Sequence, residues 1–221
     1  MAGLSDLFRY PAGIGWLVLS GGADPGSLIR AQALRRAEAD GGVAYLGVGG
    51  QSGDATLEDM EDLGAPTGYH VDILHEDDET LHAQIAAASI IVVDAGAPVS
   101  DLLNGLRGAA ETAMRVAFEL GALLLFEGHS AGIMGQMLFN ENGDLIQGLG
   151  WLENSLVVAL EPGVASPMEY AAVRDALAAQ PDLYAIGIAL GSGLALGPEG
   201  MVEVWGQRQV AIALGRSYDQ T

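Results

Sequence analysis

The feature that most narrows what this chain can become is a repeated punctuation. Short apolar runs, each closing on glycine, alternate with stretches whose apolar residues recur at helical spacing. The runs are "WLVLSGG" (16–22), "VAYLGVGG" (43–50), "IIVVDAG" (90–96) and "ALLLFEG" (122–128), with "YHVDIL" (69–74) as a further strand. A continuous rather than alternating apolar run of this length fits a strand buried on both faces. Between the runs, "PGSLIRAQALRRAEAD" (25–40), "DATLEDMEDLGA" (54–65) and "DDETLHAQIAAA" (77–88) carry helical spacing. The third has acids in its first turn, where the helix dipole favours them. "VSDLLNGLRGAAETAMRVAFELG" (99–121) gives one or two helices, with Gly121 suited to the stop. Strands alternating with helices imply a parallel sheet covered on both faces and joined by right-handed crossovers. The fold class is therefore α/β, doubly wound around a mostly parallel sheet.

Beyond residue 139 the pattern changes. "NENGDLIQGLGWLENSLVVAL" (140–160) holds a turn at Asn142–Gly143 and another strand, and "SPMEYAAVRDALAAQPDLYA" (166–185) a helix. The stretch 185–214 reads as short strands joined by glycine turns, antiparallel and near the sheet edge. No repeat, low-complexity tract or Pro-rich linker interrupts the 221 residues, so a single domain over 1–221 is expected.

Charge bounds the partners. The net charge is −20, and all nine basic residues are Arg. Such a chain repels nucleic acid and anionic lipid, whose binding rests on basic patches. Neutral or cationic ligands are favoured over acidic ones. With no Cys, disulfides, thiolate metal sites and a thiol nucleophile are excluded. "IAAASIIVV" (85–93) is shorter than a membrane span, and the first apolar run lacks a basic leader. A cytoplasmic location is the expectation.

In sheets of this kind ligands sit at the carboxyl ends of the strands. Here those ends are Ser20–Gly22, Gly49–Gln51, Leu74–His75, Asp94–Gly96 and Glu127–Ser130. The last contains "GHSAG" (128–132), the pattern Gly, any residue, Ser, any residue, Gly. In that pattern a strand turns sharply into a helix, and a strained serine is held up at the helix N-terminus. The five-residue apolar run before it and a helix over "SAGIMGQMLF" (130–139) fit this context. Ser130 is the candidate nucleophile, and N–H groups of Gly96 and Ala131 are candidates for an oxyanion hole.

These segments resemble the cyanophycinase and aspartyl-dipeptidase (dipeptidase E) family of serine peptidases. "VLSGGAD" (18–24) is similar to the family's first strand and glycine turn, and "IIVVDAGAPVSDLLNGLRG" (90–108) to its segment of strand, turn and helix. "GHSAG" is similar to its nucleophile turn. "GLGWLENSLVV" (148–158) and "YAIGIALGSGLALGPEGMVEVWG" (184–206) are similar to its later strands. The resemblance implies a class I glutamine amidotransferase-like, flavodoxin-like fold, a small peptide or amide substrate, and a possible homodimer. It also implies a general-base histidine after the nucleophile. This chain has His70, His75, His82 and His129, and none follows Ser130. Glu161 stands where the family's histidine would, and Ala97 and Pro98 replace polar residues after the family's Gly-Gly turn.

A serine hydroxyl needs a base to take its proton. Glu161, His129 beside the serine, and His75 at the rim are the candidates. Glu127 at the rim can alternatively bind a cationic group of a ligand, while Glu141 and Asp144 sit in a polar turn. His75, His82 and the acids 76–78 fit a solvated helix start, so no metal and no cofactor are expected. Two readings stand: a serine hydrolase with a non-standard base, or a non-catalytic relative that binds a ligand.

Overall fold

The computed structural model describes residues 7–23, 25–37, 41–49 and 53–220, so Gly50 and Gln51 of the expected rim lie outside the described residues. The glycine-punctuated runs become β1 (Trp16–Ser20), β2 (Val43–Gly47), β4 (Ile90–Val93) and β5 (Leu123–Glu127), with β3 (Gly68–Asp72) beside them. All five are parallel neighbours in a seven-stranded sheet. Near the chain's end, β10 (Ser192–Leu196) and β11 (Val202–Gly206) add an antiparallel edge next to β1. The order is β11-β10-β1-β5-β4-β2-β3, with β5 near the middle.

Side-chain alternation sorts the helices onto two faces. Val18, Tyr45, Val92 and Leu125 point to one face, against Ile29 and Ala33 of α1 (Leu28–Arg36) and Leu57 and Met60 of α2 (Asp54–Asp62). Leu19, Leu46, Val93 and Phe126 point to the other. There they meet α3 (Asp78–Ala86), α4 (Val99–Leu106) and α5 (Ala109–Glu119). The stretch 99–121 is thus two helices, separated at Gly108, whose φ of 94° no helix accommodates. Among the described residues no helix is long and apolar enough to cross a membrane.

Two expectations are corrected. The helix expected over 130–139 is instead a 3₁₀ helix, Gly128–Met134, followed by β6 (Gly135–Phe139). The carbonyls of Ile133, Gly135 and Gln136 accept from the amides of Leu149, Gly150 and Gly148 at 2.8, 3.0 and 2.9 Å. Those carbonyls are occupied from outside, and Gly132 and Gly135 weaken any helix that would compete.

The C-terminal strands also do not all lie at one edge. β6, β7 (Leu145–Gln147), β8 (Leu152–Leu160), β9 (Tyr184–Ala189) and β12 (Val210–Leu214) form a second sheet in the order β12-β9-β8-β6-β7. Its β6, β8 and β9 are mutually parallel, and β7 and β12 are antiparallel edges. Leu152, Val157, Tyr184 and Ile186 join the core that holds α3, α4 and α5. Leu156 and Ala185 face the opposite way, under Val173 and Leu177 of α6 (Ala171–Ala179). At the seam Gly21 passes β9 so closely that a Cβ would lie 2.3 Å from the Ile188 carbonyl oxygen. The Asn142–Gly143 turn is present between β6 and β7. The Asn140 side chain accepts from the amides of Asn142 and Asp144 at 3.0 and 2.9 Å.

Candidate functional site

β5 is buried along its whole length, and its last residue, Glu127, is only 2 % exposed. The next residue, Gly128, has φ +61°, in the left-handed region. The sharp bend read from "GHSAG" is therefore there, but Gly128 supplies its left-handed residue. Among the described residues, the non-glycine positions with positive φ are Asn154, Glu199 and Arg208. The strained serine expected at the bend is corrected: Ser130 lies two residues beyond it, inside the 3₁₀ turn.

There it closes a reciprocal capping box. The Glu127 carboxylate accepts from the Ser130 amide, and the Ser130 hydroxyl accepts from the Glu127 amide at 3.1 Å. The hydroxyl proton faces the Glu127 carbonyl at 2.9 Å, with the Val93 carbonyl at 3.4 Å. Ser130 is 1 % exposed. Among the described residues no side chain hydrogen-bonds to its hydroxyl. Such a box satisfies amides that the end of a turn would leave unpaired.

Beneath the turn lies a buried charge cluster. Arg30, from α1, donates to both oxygens of Glu127, with Nη2 to Oε2 at 2.7 Å, and through Nη1 to Asp59 of α2 at 2.8 Å. Asp59 also accepts the amide of Gly26. Burial pulls the Arg30 pKa down. The hydrogen bonds and charge of Glu127, then of Asp59, outweigh it and leave the guanidinium pKa raised. Glu127, a candidate anchor for a cationic ligand, is thus already held by Arg30. Sequence reading missed this cluster. Its signal was a charge on an apolar stripe: Arg30 among Ile29 and Ala33, and Asp59 among Leu57 and Met60.

The remaining candidates separate. The Gly96 amide donates to the Asp94 carboxylate at 2.7 Å, so it is engaged in a local turn and not offered to an oxyanion. Ala131 is buried in the 3₁₀ turn at 1 % exposure. His75 follows β3, the far edge strand, and pairs with Asp72 at 3.0 Å. Three strand spacings separate β3 from β5, about 14 Å, so His75 is not brought to the serine. His70 pairs with Asp54 at 2.7 Å, also on that edge. Glu141 binds the amide and hydroxyl of Ser100 at the start of α4. Among the described residues no group of three or more His, Asp or Glu side chains converges as metal ligands do.

His129 and Glu161 do share a space. Both are exposed, and both line a cavity of about 250 Å³ between the 3₁₀ turn, the end of β8 and the start of α6. Gly132 and Tyr170 also line it; Ser130 does not. The Glu161 amide donates to the Tyr170 hydroxyl at 2.9 Å, which fixes the chain at the mouth. Tyr170 carried no signal of its own in the sequence. The structure thus groups two candidate bases around a mostly apolar cavity, while the hydroxyl they would serve is bonded to backbone and is not among the lining groups.

No family model matches the chain, and no curated protein sequence matches it. Solved structures do. A peptidase from an acI-B1 Actinobacterium is similar with a TM-score of 0.68 and 18 % identity, over 91 % of each chain. The "putative peptidase E protein" of Listeria monocytogenes EGD-e is similar with a TM-score of 0.61 and 13 % identity, over 86 % of this chain and 97 % of that one. At these identities the likeness is one of fold: a mixed α/β architecture with a mainly parallel sheet, shared with peptidases.

Proposed function

We propose that this chain is a non-catalytic relative of the cyanophycinase and dipeptidase E serine peptidases, which binds a small neutral or cationic ligand on a peptidase scaffold. The observation that carries this reading is the commitment of the Ser130 hydroxyl. It is 1 % exposed and bonded to both backbone groups of Glu127. Attack on a carbonyl requires a hydroxyl that faces the substrate and a base within reach of its proton. General-base assistance is worth about 10²–10⁴-fold, and neither His129 nor Glu161 hydrogen-bonds to the serine. What the turn does offer is a concave, largely apolar space with a carboxylate, an imidazole and a phenol around it.

A fluorophosphonate probe tests this directly. Incubated with the protein for hours between about pH 6 and 9, it is expected to leave the mass unchanged. A mass shift on Ser130, absent from Ser130→Ala, overturns the reading. Ser130→Ala is expected to lose stability instead, by about 1–3 kcal/mol, because the buried Glu127 amide loses its acceptor.

One observation favours the second reading, slow hydrolysis by Ser130: His129 and Glu161 line one cavity beside the serine turn. Reaching them requires the hydroxyl to leave its cap, at a cost of the same ~1–3 kcal/mol. In that case labelling appears and falls in His129→Ala or Glu161→Gln.

A further inference from the structure

We infer that the cavity beside the serine turn is a site for a small organic cation with an apolar body, a primary monoamine whose chain enters the cavity and whose ammonium stays at Glu161. This rests on the reading above that the cavity is a binding site, and adds the chemistry of what fills it.

The floor decides the body of the ligand. Val99, Leu138, Val157 and Val173 are all buried and all line the cavity. They come from α4, β6, β8 and α6, so the walls belong to four different elements and are fixed by the core. The volume of about 250 Å³ corresponds to roughly eight waters at ~30 Å³ each. That suits a five- or six-carbon chain or a single ring and excludes a folded peptide. Water over such walls makes few hydrogen bonds, so an apolar group displaces it favourably.

The mouth decides the head group. Among the described residues, Glu161 is the one carboxylate lining the cavity, and no arginine lines it. The guanidinium on α6, Arg174, donates to the carbonyls of Met168 and Glu169 at 2.7 and 3.0 Å. The Tyr170 hydroxyl oxygen accepts the Glu161 amide and keeps acceptor capacity that an ammonium N–H can use. An ammonium at this mouth meets the Glu161 carboxylate, whose backbone is anchored by Tyr170. A carboxylate there meets the same charge, in a chain whose net charge is −20. His129 also lines the cavity, and a neutral imidazole accepts from an ammonium as well.

The test is a matched series: n-hexylamine, n-hexanol and n-hexanoate, titrated into the full chain at about pH 8, where a free imidazole is uncharged. Binding is followed by calorimetry and by protein NMR. The amine is expected to bind tightest and hexanoate weakest. Lengthening the amine from propyl to hexyl is expected to tighten binding by about fourfold per methylene, until the cavity is full. Glu161→Gln is expected to weaken the amine about two- to fivefold and to leave hexanol unchanged. Ala172→Phe, on an exposed lining position of α6, is expected to block all three while the fold is retained. Equal affinity for the three head groups, a preference for hexanoate, no binding of any, or an amine affinity indifferent to Glu161→Gln each overturn the inference. Probe labelling of Ser130 together with amine binding refutes the non-catalytic reading and leaves this one standing.

Discussion

Replacing Arg30 by methionine should unfold this protein well before the temperature at which the parent chain melts. The side chains of Arg30, Asp59 and Glu127 are 9, 8 and 3 % exposed. Methionine keeps most of the apolar stem, so the loss is electrostatic and not one of packing. Removing one partner of a buried pair costs about 3–5 kcal/mol, because the other charge is stranded without solvent. One guanidinium serves both carboxylates here, so the two pairs do not add, and ~4 kcal/mol is the working figure. For a chain of this size each kcal/mol moves Tm by about 2–4 °C, which gives a fall of roughly 8–16 °C by calorimetry. Arg30→Lys should fall in between, since an ammonium cannot fork to two carboxylates as a guanidinium does. Combining Arg30→Met with Glu127→Gln and Asp59→Asn should recover more than half of the loss, because no charge is then stranded. A Tm within about 2 °C of the parent refutes the reasoning, for the cluster would then behave as a surface pair.

Two further outcomes are expected. Gly128→Ala should cost about 1 kcal/mol, since φ is +61° but the new Cβ meets nothing nearer than Ala95 at 3.8 Å. Gly206→Ala, at φ +66°, should cost far more, because its Cβ would lie 2.1 Å from the Gly191 carbonyl oxygen; equal midpoints in urea refute the distinction. At the start of α4 the Ser100 amide, then its hydroxyl, hold the Glu141 pKa below the usual glutamate range. A depressed folded pKa adds stability above the unfolded value of about 4.3 that disappears as pH falls through the folded one. Glu141→Gln should therefore flatten the acid limb of the stability profile below that pH, and an unchanged limb refutes the assignment.

The parallel strands were legible because a strand buried on both faces has no choice but to be apolar throughout, as in "WLVLS" and "LLLFE". The two-helix reading of 99–121 was open because Gly108 marks a break without saying whether the axis continues. The stretch 130–139 was misread for a different reason. Its local pattern suits a helix, and the amides that hold it extended come from residues 148–150, across a turn and a strand. The serine suffered the same way. The pentapeptide fixes that a bend exists near it, whereas the residue carrying the left-handed φ depends on where β5 stops pairing with β1, at the Ser20–Glu127 register. The Arg30–Glu127 pair spans 97 residues, and only a charge placed on an apolar stripe hinted at it. That His129 and Glu161 lie near the serine turn was expected of both as candidate bases, but the cavity they share had no sequence signal, because α6 and β8 meet over it only in the folded chain.

The position of β1 carries a cost during synthesis. Trp16 pairs with Leu123 on one side, and Leu17 with Leu196 on the other. The earliest of the described strands is therefore flanked by two later ones. At about 5–20 residues per second it waits on the order of ten seconds or more for its second neighbour. Until then "WLVLS" keeps at least one edge unpaired, so the window of greatest aggregation risk falls before β10 closes the sheet beside it.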